Sequence, residues 1–328
     1  MIAMMMAAYI VMLMLRSVPS MAMQGTGSVK GMGDKYKFSN SQIGAIYSCW
    51  GWGYTLTQMP GGYFGQRIGS KKTWLYFMSA AAISSMLIPL AASTVGVLGV
   101  AVLNGISGMG QGPLYPVSAG LFGAWLPQPE YARGANAVWS MWSGGQMIQG
   151  NLSPWIMTHL GWEYTFYIYP ALILLWAWVW NKYAHNTPAE DPACSEAECA
   201  YIEGTKPEQK EEEAFGTGVY VVLLKQRSVL VFMLVQVIAG FTGAYTTWLP
   251  LYLEQQGGLE LWEAGLVAAT SFSGSVFGMW GGGFFADWIT NKGVLSTDRI
   301  RRAPPPRVSL PVERLCDDSA VVTQTPYS

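Results

Sequence analysis

One arginine, Arg16, lies deep inside an otherwise apolar run that extends from the N-terminus to Met23. If that run crosses a membrane, an ionisable side chain within it costs about 2.5–3.5 kcal/mol or more, so a functional reason for it is expected. A guanidinium that faces a central cavity can bind a carboxylate or a phosphate through two parallel hydrogen bonds. The alternative is that the helix begins late and that Arg16 pairs with backbone groups or reaches the membrane interface.

Five uncharged polar side chains lie in other apolar stretches and extend this candidate site. They either line a water-filled path near the middle of the membrane or make hydrogen bonds between helices, each worth about 0.6–2 kcal/mol. Two of them are seven residues apart, a spacing that puts both on one helix face. The five are Tyr54, Gln58, Asn104, Gln111 and Gln146.

A short glycine-rich, cationic segment separates two of the apolar runs, and it is typical of a tight turn between membrane helices. Glycines let the two helices approach closely, and cations hold the turn on the inner face. A weaker copy follows late in the chain at Gly283–Asp287, which predicts two related halves. We expect the turn to act as a gate by meeting Asp287 or loop carboxylates; the alternative is simple topological anchoring. Its residues are Gly62, Gln66, Arg67, Gly69, Lys71 and Lys72.

Composition places the chain among membrane proteins. It is 51% hydrophobic and only 12% charged, about half the charged share of a soluble protein. The cations are spread over short loops, so a nucleic-acid partner is not expected. Cys194 and Cys199, with four residues between them and no second pair, do not suggest a metal site. No Ser/His/Asp, Cys/His or paired-carboxylate pattern suggests catalysis, so the sequence does not predict an enzyme.

Eight membrane-spanning helices are predicted from stretches of about 20 mostly apolar residues. The first lacks the cationic start of a secretory signal, which favours a membrane helix over a cleaved leader, although residues 20–22 could serve as a cleavage site. The predicted spans lie near residues 3–23, 42–64, 73–92, 96–122, 133–157, 163–183, 227–253 and 263–288.

Charge asymmetry between the loops predicts the orientation. Most Lys and Arg residues fall in alternate loops, which puts the N-terminus and the 184–226 loop in the cytoplasm. We therefore predict a six-helix bundle over 1–183, a cytoplasmic linker over 184–226, and the first two helices of a second bundle over 227–302. Residues 303–328 form a Pro-containing polar tail that cannot span a bilayer, so the second bundle is expected to be truncated.

The ordered motifs resemble the major facilitator superfamily, and within it the anion:cation symporter branch. Helix 2 carries the segment from Gly51 to Gly62, and helix 4 carries the segment from Gly108 to Gly112. Pro154, then the Asn186–Pro188 segment, then Trp248 with Pro250 follow in the expected order. The resemblance implies an all-α polytopic membrane protein of the major facilitator fold. It also implies alternating-access transport of a small anion, either inorganic phosphate or an organic or acidic-sugar anion, coupled to Na⁺ or H⁺.

The chain departs from the family pattern at three places. Leu15 and Gln66 replace Asp residues that the family usually has. Asn104 and Gln111 replace an Arg and a Glu, and the Glu is associated with proton coupling in relatives, so coupling through this pair is not expected. The alternative to a transporter is a truncated, non-transporting membrane protein. The sequence specifies neither the substrate, nor the oligomeric state, nor the membrane.

Overall fold

A computed structural model describes residues 1–23, 30–205, most of 225–240 and 261–291, the last with part of its side chains. Its elements are helices, joined by short turns. The α-helices are α1 (Ile2–Arg16), α2 (Val18–Met23), α3 (Met32–Tyr36), α4 (Asn40–Ile68), α5 (Ser70–Met86), α6 (Ile88–Thr94), α7 (Val97–Gln111), α8 (Leu114–Trp125), α9 (Tyr131–His159), α10 (Thr165–Tyr183), α11 (Glu196–Gly204) and α12 (Leu261–Asn291). Three 3₁₀ turns lie at Gln128–Glu130, Trp162–Tyr164 and Pro188–Glu190.

The first six predicted spans each coincide with one helix or with a consecutive pair. Spans 2, 5 and 6 are the single helices α4, α9 and α10, whereas spans 1, 3 and 4 are the pairs α1–α2, α5–α6 and α7–α8. The described residues between 227 and 240 are helical, and α12 covers the eighth span. The rest of the seventh span and the predicted tail over 303–328 lie outside the described residues.

Prolines account for the three breaks that the apolar runs do not reveal. A proline has no N–H, so it leaves the carbonyl four residues earlier without its helical partner. Pro19 follows the break at Ser17, Pro89 follows the break at Leu87, and Pro113 lies in the break between α7 and α8. Spans 1, 3 and 4 are therefore each interrupted once, whereas spans 2, 5 and 6 are continuous helices.

Apolar side chains on the outside of the bundle suit a lipid environment. The segments Ile2–Met23 and Ser70–Thr94 have mean hydropathies of 1.8 and 1.7. The exposed face of α6 and α7 carries Leu90, Leu98 and Val102, all more than half exposed. Contiguous apolar surface of this kind marks contact with lipid or with another protein.

The predicted linker begins with ordered structure. After α10 the chain turns through Pro188–Glu190 and then forms α11. The Ser195 side chain caps the N-terminus of α11 by accepting a hydrogen bond from the Glu198 N–H at 3.2 Å. Ile202 on α11 is buried. The 184–226 loop thus has a structured first part; residues 206–224 lie outside the described part of the chain.

Glycines bring α4 and α7 into backbone contact. A Cβ on Gly53 would collide with the Gly105 carbonyl, and one on Gly108 would collide with the Trp50 carbonyl. Small residues that allow such close approach are the usual basis of helix packing in membranes. The contact fixes the position of α4, which carries Trp50 and Tyr54 of the candidate site.

Candidate anion-binding site

The guanidinium of Arg16 lies against the faces of three aromatic rings. Its Cζ is 4.3 Å from the centroid of the Trp50 ring, 4.5 Å from that of Trp142 and 5.2 Å from that of Tyr54. A cation over such a ring is attracted by its negative face, by about 0.5–2 kcal/mol per contact. The structure therefore places the Arg16 guanidinium among aromatic side chains of α4 and α9.

Local sequence explains how two helices supply these rings. Trp50 and Tyr54 are four residues apart on α4, so they lie one above the other on the same face, and their rings stack with centroids 5.0 Å apart. Trp142 comes from α9, three residues before Gly145. A Cβ on Gly145 would meet the Ile10 carbonyl at 2.7 Å, so this glycine lets α9 approach α1 closely enough for Trp142 to reach Arg16.

The positive charge of Arg16 is not neutralised by an acid within residues 1–23 and 30–205. The ion pairs described there involve other residues, and the charged or polar groups acting on Arg16 are tyrosines. The Tyr54 hydroxyl lies close to the guanidinium and also to Gln58. The Arg16 side chain is half-buried. This part of the bundle accordingly presents a fixed, uncompensated cation with aromatic walls.

A second layer of tyrosines supports the aromatic wall. Tyr115 on α8 packs against Trp142, with ring centroids 5.4 Å apart, and against Tyr9, with centroids 5.7 Å apart. Tyr9 is fully buried, and its hydroxyl lies 2.8 Å from the Ser118 Oγ. The sequence did not predict a place in the site for four of these residues, Trp50, Trp142, Tyr115 and Tyr9. The four-residue spacing between Trp50 and Tyr54 was a usable signal; the other three depend on tertiary packing.

Gln146 contacts the residue that follows Arg16 in the chain. Its Oε1 accepts a hydrogen bond from the Ser17 Oγ at 3.1 Å, and Ser17 is the break residue between α1 and α2. Gln146 thus holds the residue that follows Arg16. Of the candidates from the sequence, the structure places Tyr54 beside the guanidinium. Gln58 lies beside Tyr54, and Gln146 lies beside Ser17.

Asn104 and Gln111 use their polar atoms in helix packing. Both are almost fully buried, with 1% and 2% of their surface exposed. The Asn104 Nδ2 donates to the Ile46 carbonyl on α4 at 2.9 Å, and the Gln111 Nε2 donates to the Ser107 Oγ at 3.2 Å. Ser107 in turn lies 3.0 Å from the Ser85 Oγ on α5. The Asn104 bond corresponds to the interhelical alternative, whereas the Gln111 bond stays within α7 and connects to α5 only through Ser107. Neither amide can titrate.

The Gly62–Lys72 turn is docked on the chain that follows α10. Gly69 joins α4 to α5 with φ +88°, a conformation that favours glycine, and the side chain of Asn186 packs against it. The Asn186 Oδ1 accepts from the Lys71 N–H at 2.9 Å, and its carbonyl accepts from the Trp125 Nε1 at 3.2 Å. The Asn186 contacts explain the position of this turn within the bundle.

The remaining residues of the predicted gate lie at the surface or outside the described part of the chain. Gln66 and Lys72 are exposed, and the Arg67 guanidinium lies over the exposed Tyr63 ring at 5.4 Å. Gly62 faces Pro116 on α8. The Asp287 side chain lies outside the described residues, so its contact with the turn stays a prediction. Gly283, from the weaker copy, packs on α9 near Arg133 and Asn136.

The fold and this site define a multi-pass integral membrane protein whose N-terminal bundle encloses a fixed cation. The chain belongs to the Major Facilitator Superfamily, whose family model matches residues 2–300. This is a family of transporters and not of enzymes, which confirms the predicted fold and class.

Relatives within the family are named as anion carriers. The chain is similar to the "Probable anion transporter 4, chloroplastic" of Oryza sativa, at 28% identity over 81% of this chain and 45% of that protein. It is also similar to "Vesicular glutamate transporter 1" of Xenopus tropicalis, at 27% identity over 82% of this chain and 47% of that protein. A third relative is the "D-galactonate transporter" of Escherichia coli, at 27% identity over 83% of this chain and 64% of that protein. The chain thus spans about half to two thirds of the length of these curated relatives.

Proposed function

We propose that this chain binds a small anion at Arg16 and takes part in carrying it across the membrane by alternating access. The observation that supports this most directly is the uncompensated guanidinium of Arg16 among Trp50, Tyr54 and Trp142. Aromatic faces stabilise a cation without neutralising it. An anion that reaches Arg16 would therefore meet a charge that no carboxylate of residues 1–23 or 30–205 has already paired.

The substrate class follows from the chemistry of the guanidinium. Its planar fork matches a carboxylate or a phosphate through two parallel hydrogen bonds. Tyr54 adds a hydroxyl beside it, and Gln58 adds an amide beside Tyr54, and both groups suit the polar groups of an organic anion. Two of the relatives are named for glutamate and for galactonate, and both of these molecules bear a carboxylate. We therefore rank organic or acidic-sugar anions first and inorganic phosphate second.

Coupling to Na⁺ or H⁺ belongs to the proposal at the level of the family resemblance. Asn104 and Gln111 cannot carry a proton at pH values near neutrality, since amides do not titrate there. Any proton coupling in this chain must use a group other than this pair. We propose that α7 contributes packing and not proton transfer.

In this proposal the anion site lies within residues 1–183, and residues 227–302 form the start of a partner bundle. α12 packs along α9, and the Trp280 Nε1 donates to the Ser140 Oγ at 2.6 Å. Movement of such a partner against the first bundle would expose a central site to one side of the membrane at a time. The α4–α5 turn, with Lys71 and Lys72, is the proposed gate.

Direct binding tests the anion site independently of transport. The purified chain in lipid nanodiscs is titrated with radiolabelled galactonate, glutamate and phosphate in a scintillation proximity assay. Arg16→Gln removes the charge-assisted hydrogen bonds, worth about 1.5–3 kcal/mol, and should weaken binding about 10- to 100-fold. The matched control is Lys182→Gln, because Lys182 is exposed, lies outside the α4–α5 turn and has its cation over the exposed Tyr183 ring. Equal binding by Arg16→Gln and the unmodified chain would overturn the proposal.

Uptake into proteoliposomes tests whether the bound anion is also transported. Accumulation of the bound anion that is lost in Arg16→Gln and retained in Lys182→Gln supports transport through this site. Binding without uptake identifies the non-transporting alternative, in which the chain holds an anion but does not move it.

A further inference from the structure

Two cysteines lie in contact on the segment that follows α10. Cys194 ends a turn whose backbone bond runs from its own N–H to the Asp191 carbonyl at 3.0 Å. Cys199 lies in the first turn of α11, with its N–H bonded to the Ser195 carbonyl at 2.9 Å. Their Sγ atoms are 2.7 Å apart, and both are free thiols. Two backbone turns thus hold the thiols against each other.

The surroundings of the pair suit reaction with a solute. Both side chains are half-buried, and the residues around them, Glu196, Ala197 and Glu198, are exposed. The hydrogen bond with Cys199 raises the pKa of the Cys194 thiol to about 11, and the carboxylates of Glu198 and Asp191 add to that shift. Because the thiolate is the nucleophile, Cys199 at the positive N-terminal end of α11 is the thiol that attacks first.

We propose that Cys194 and Cys199 form a reversible dithiol–disulfide site that is oxidised by a low-molecular-weight disulfide such as glutathione disulfide. The Cys199 thiolate attacks one sulfur of that molecule, forms a mixed disulfide and releases one glutathione thiolate. The Cys194 sulfur then attacks the Cys199 sulfur, which forms the Cys194–Cys199 bond and releases the second glutathione thiolate. Two electrons pass to the oxidant, and the two thiol protons end on the two glutathione molecules.

Contact between the two thiols decides which product forms. Once Cys199 carries glutathione, the Cys194 sulfur is already adjacent, so the second step is intramolecular and outruns attack by a free thiol. In the predicted cytoplasmic location, an isolated thiol is kept reduced, and disulfides that do form are mostly redox-sensing or catalytic. The site is therefore expected to respond to the glutathione ratio.

Oxidation would act on a segment that is already docked to the bundle. The same stretch of chain includes Asn186, which binds the Lys71 N–H at the α4–α5 turn. A disulfide between Cys194 and Cys199 would join the first turn of α11 covalently to the turn before it. This covalent link would restrict the position of α11 relative to Asn186.

Mass spectrometry of the full chain in nanodiscs tests the site. Samples equilibrated at several ratios of reduced to oxidised glutathione are quenched with an alkylating reagent and digested with trypsin. The fragment from Tyr183 to Lys210 contains both cysteines and no other cleavable bond. Excess oxidised glutathione should abolish alkylation of this fragment and lower its mass by two hydrogens. Reduced glutathione should restore both alkylated thiols.

Single variants separate the proposed pair from unspecific oxidation. Cys194→Ser should stop at the mixed disulfide, with one glutathione on Cys199. Cys199→Ser should likewise stop at a mixed disulfide, with one glutathione on Cys194, because the second sulfur is absent. Cys49→Ser, at a half-buried position on α4, is the control and should leave the fragment unchanged. A wild-type fragment that stays doubly alkylated, or that carries two glutathiones, would overturn the proposal.

Discussion

The hydroxyl of Thr57 donates to the carbonyl oxygen of Met109, 2.9 Å away, across the contact between α4 and α7. Pro113 has no N–H, so it leaves the Met109 carbonyl without its helical partner. In a membrane a freed carbonyl finds no water, and a hydroxyl from a neighbouring helix is one of the groups that can satisfy it. Thr57 therefore compensates for the proline that bends the fourth predicted span.

Replacing Thr57 with valine should destabilise the bundle by about 1–2 kcal/mol. Valine keeps the shape of threonine but leaves the part-buried Met109 carbonyl without this hydroxyl. Thr55→Val is the matched control, since Thr55 lies on the same helix and is exposed. Thermal unfolding in detergent, followed by circular dichroism, should show a lower midpoint for Thr57→Val alone. Equal midpoints for the two variants would contradict the compensating role.

The apolar runs predict the spans but not the breaks within them. The number and position of the first six spans follow from about 20 apolar residues in a row, which is a local property. The bends at Ser17, Leu87 and Gly112 were not predicted, although a nearby proline signals each one. A proline in a membrane helix is tolerated only when a neighbour satisfies the freed carbonyl, and that neighbour is not visible in the sequence.

The candidate site shows the same division. Arg16 stands out in the sequence because a charge in an apolar run is costly. The rings of Trp50 and Trp142 were missed, because their approach depends on Gly145 bringing α9 against α1. The seven-residue spacing of Asn104 and Gln111 indicates a shared helix face. It does not reveal which neighbour that face meets, and the structure places both amides in helix packing.

Removing one aromatic wall should weaken anion binding without abolishing it. Trp142→Leu deletes a cation–π contact, worth about 0.5–2 kcal/mol, that positions the guanidinium. We expect binding of the labelled anion to fall about 2- to 30-fold in the nanodisc assay. Trp52→Leu is the control, since 69% of the Trp52 surface is exposed on α4. An unchanged affinity in Trp142→Leu would show that the ring does not position Arg16 for binding.

The ion pair between Lys35 and Glu163 predicts a small alkaline effect on stability. Its Nζ and Oε1 are 2.7 Å apart, and this hydrogen bond raises the pKa of Lys35 above its ordinary value of 10.5. A group whose pKa is raised by folding stabilises the protein fully below its unfolded pKa and loses that contribution as the pH passes its folded pKa. Because both side chains are well exposed, the contribution is about 0.2–1 kcal/mol at most.

We therefore expect the stability difference between the unmodified chain and Lys35→Gln to be constant up to about pH 10 and to shrink above the ordinary lysine value. Denaturant unfolding at a series of alkaline pH values measures it. Lys30→Gln, at an exposed position in the same loop, should show no such pH-dependent difference. A difference that grows with rising pH would have the opposite sign and would contradict the pairing.

Gly69 should be the least replaceable glycine of the α4–α5 turn. Its φ of +88° with ψ of 147° is a conformation that costs other residues about 1–3 kcal/mol. A Cβ there would also lie 2.9 Å from the Asn186 Oδ1, the atom that accepts from the Lys71 N–H. Gly69→Ala is thus expected to lower stability by about 1–3 kcal/mol and to loosen the chain that follows α10.

Gly44→Ala is the matched control for that change, because Gly44 lies within α4 with open space around it. Alanine favours a helix over glycine, so this control should be neutral or stabilising by up to about 1 kcal/mol. Hydrogen exchange of residues 184–204 separates the two effects of Gly69→Ala. Faster exchange there, together with a lower unfolding midpoint, follows if the Asn186 contact holds the segment in place. A lower midpoint with unchanged exchange would mean that backbone strain at Gly69 acts alone and that Asn186 keeps its bond to Lys71.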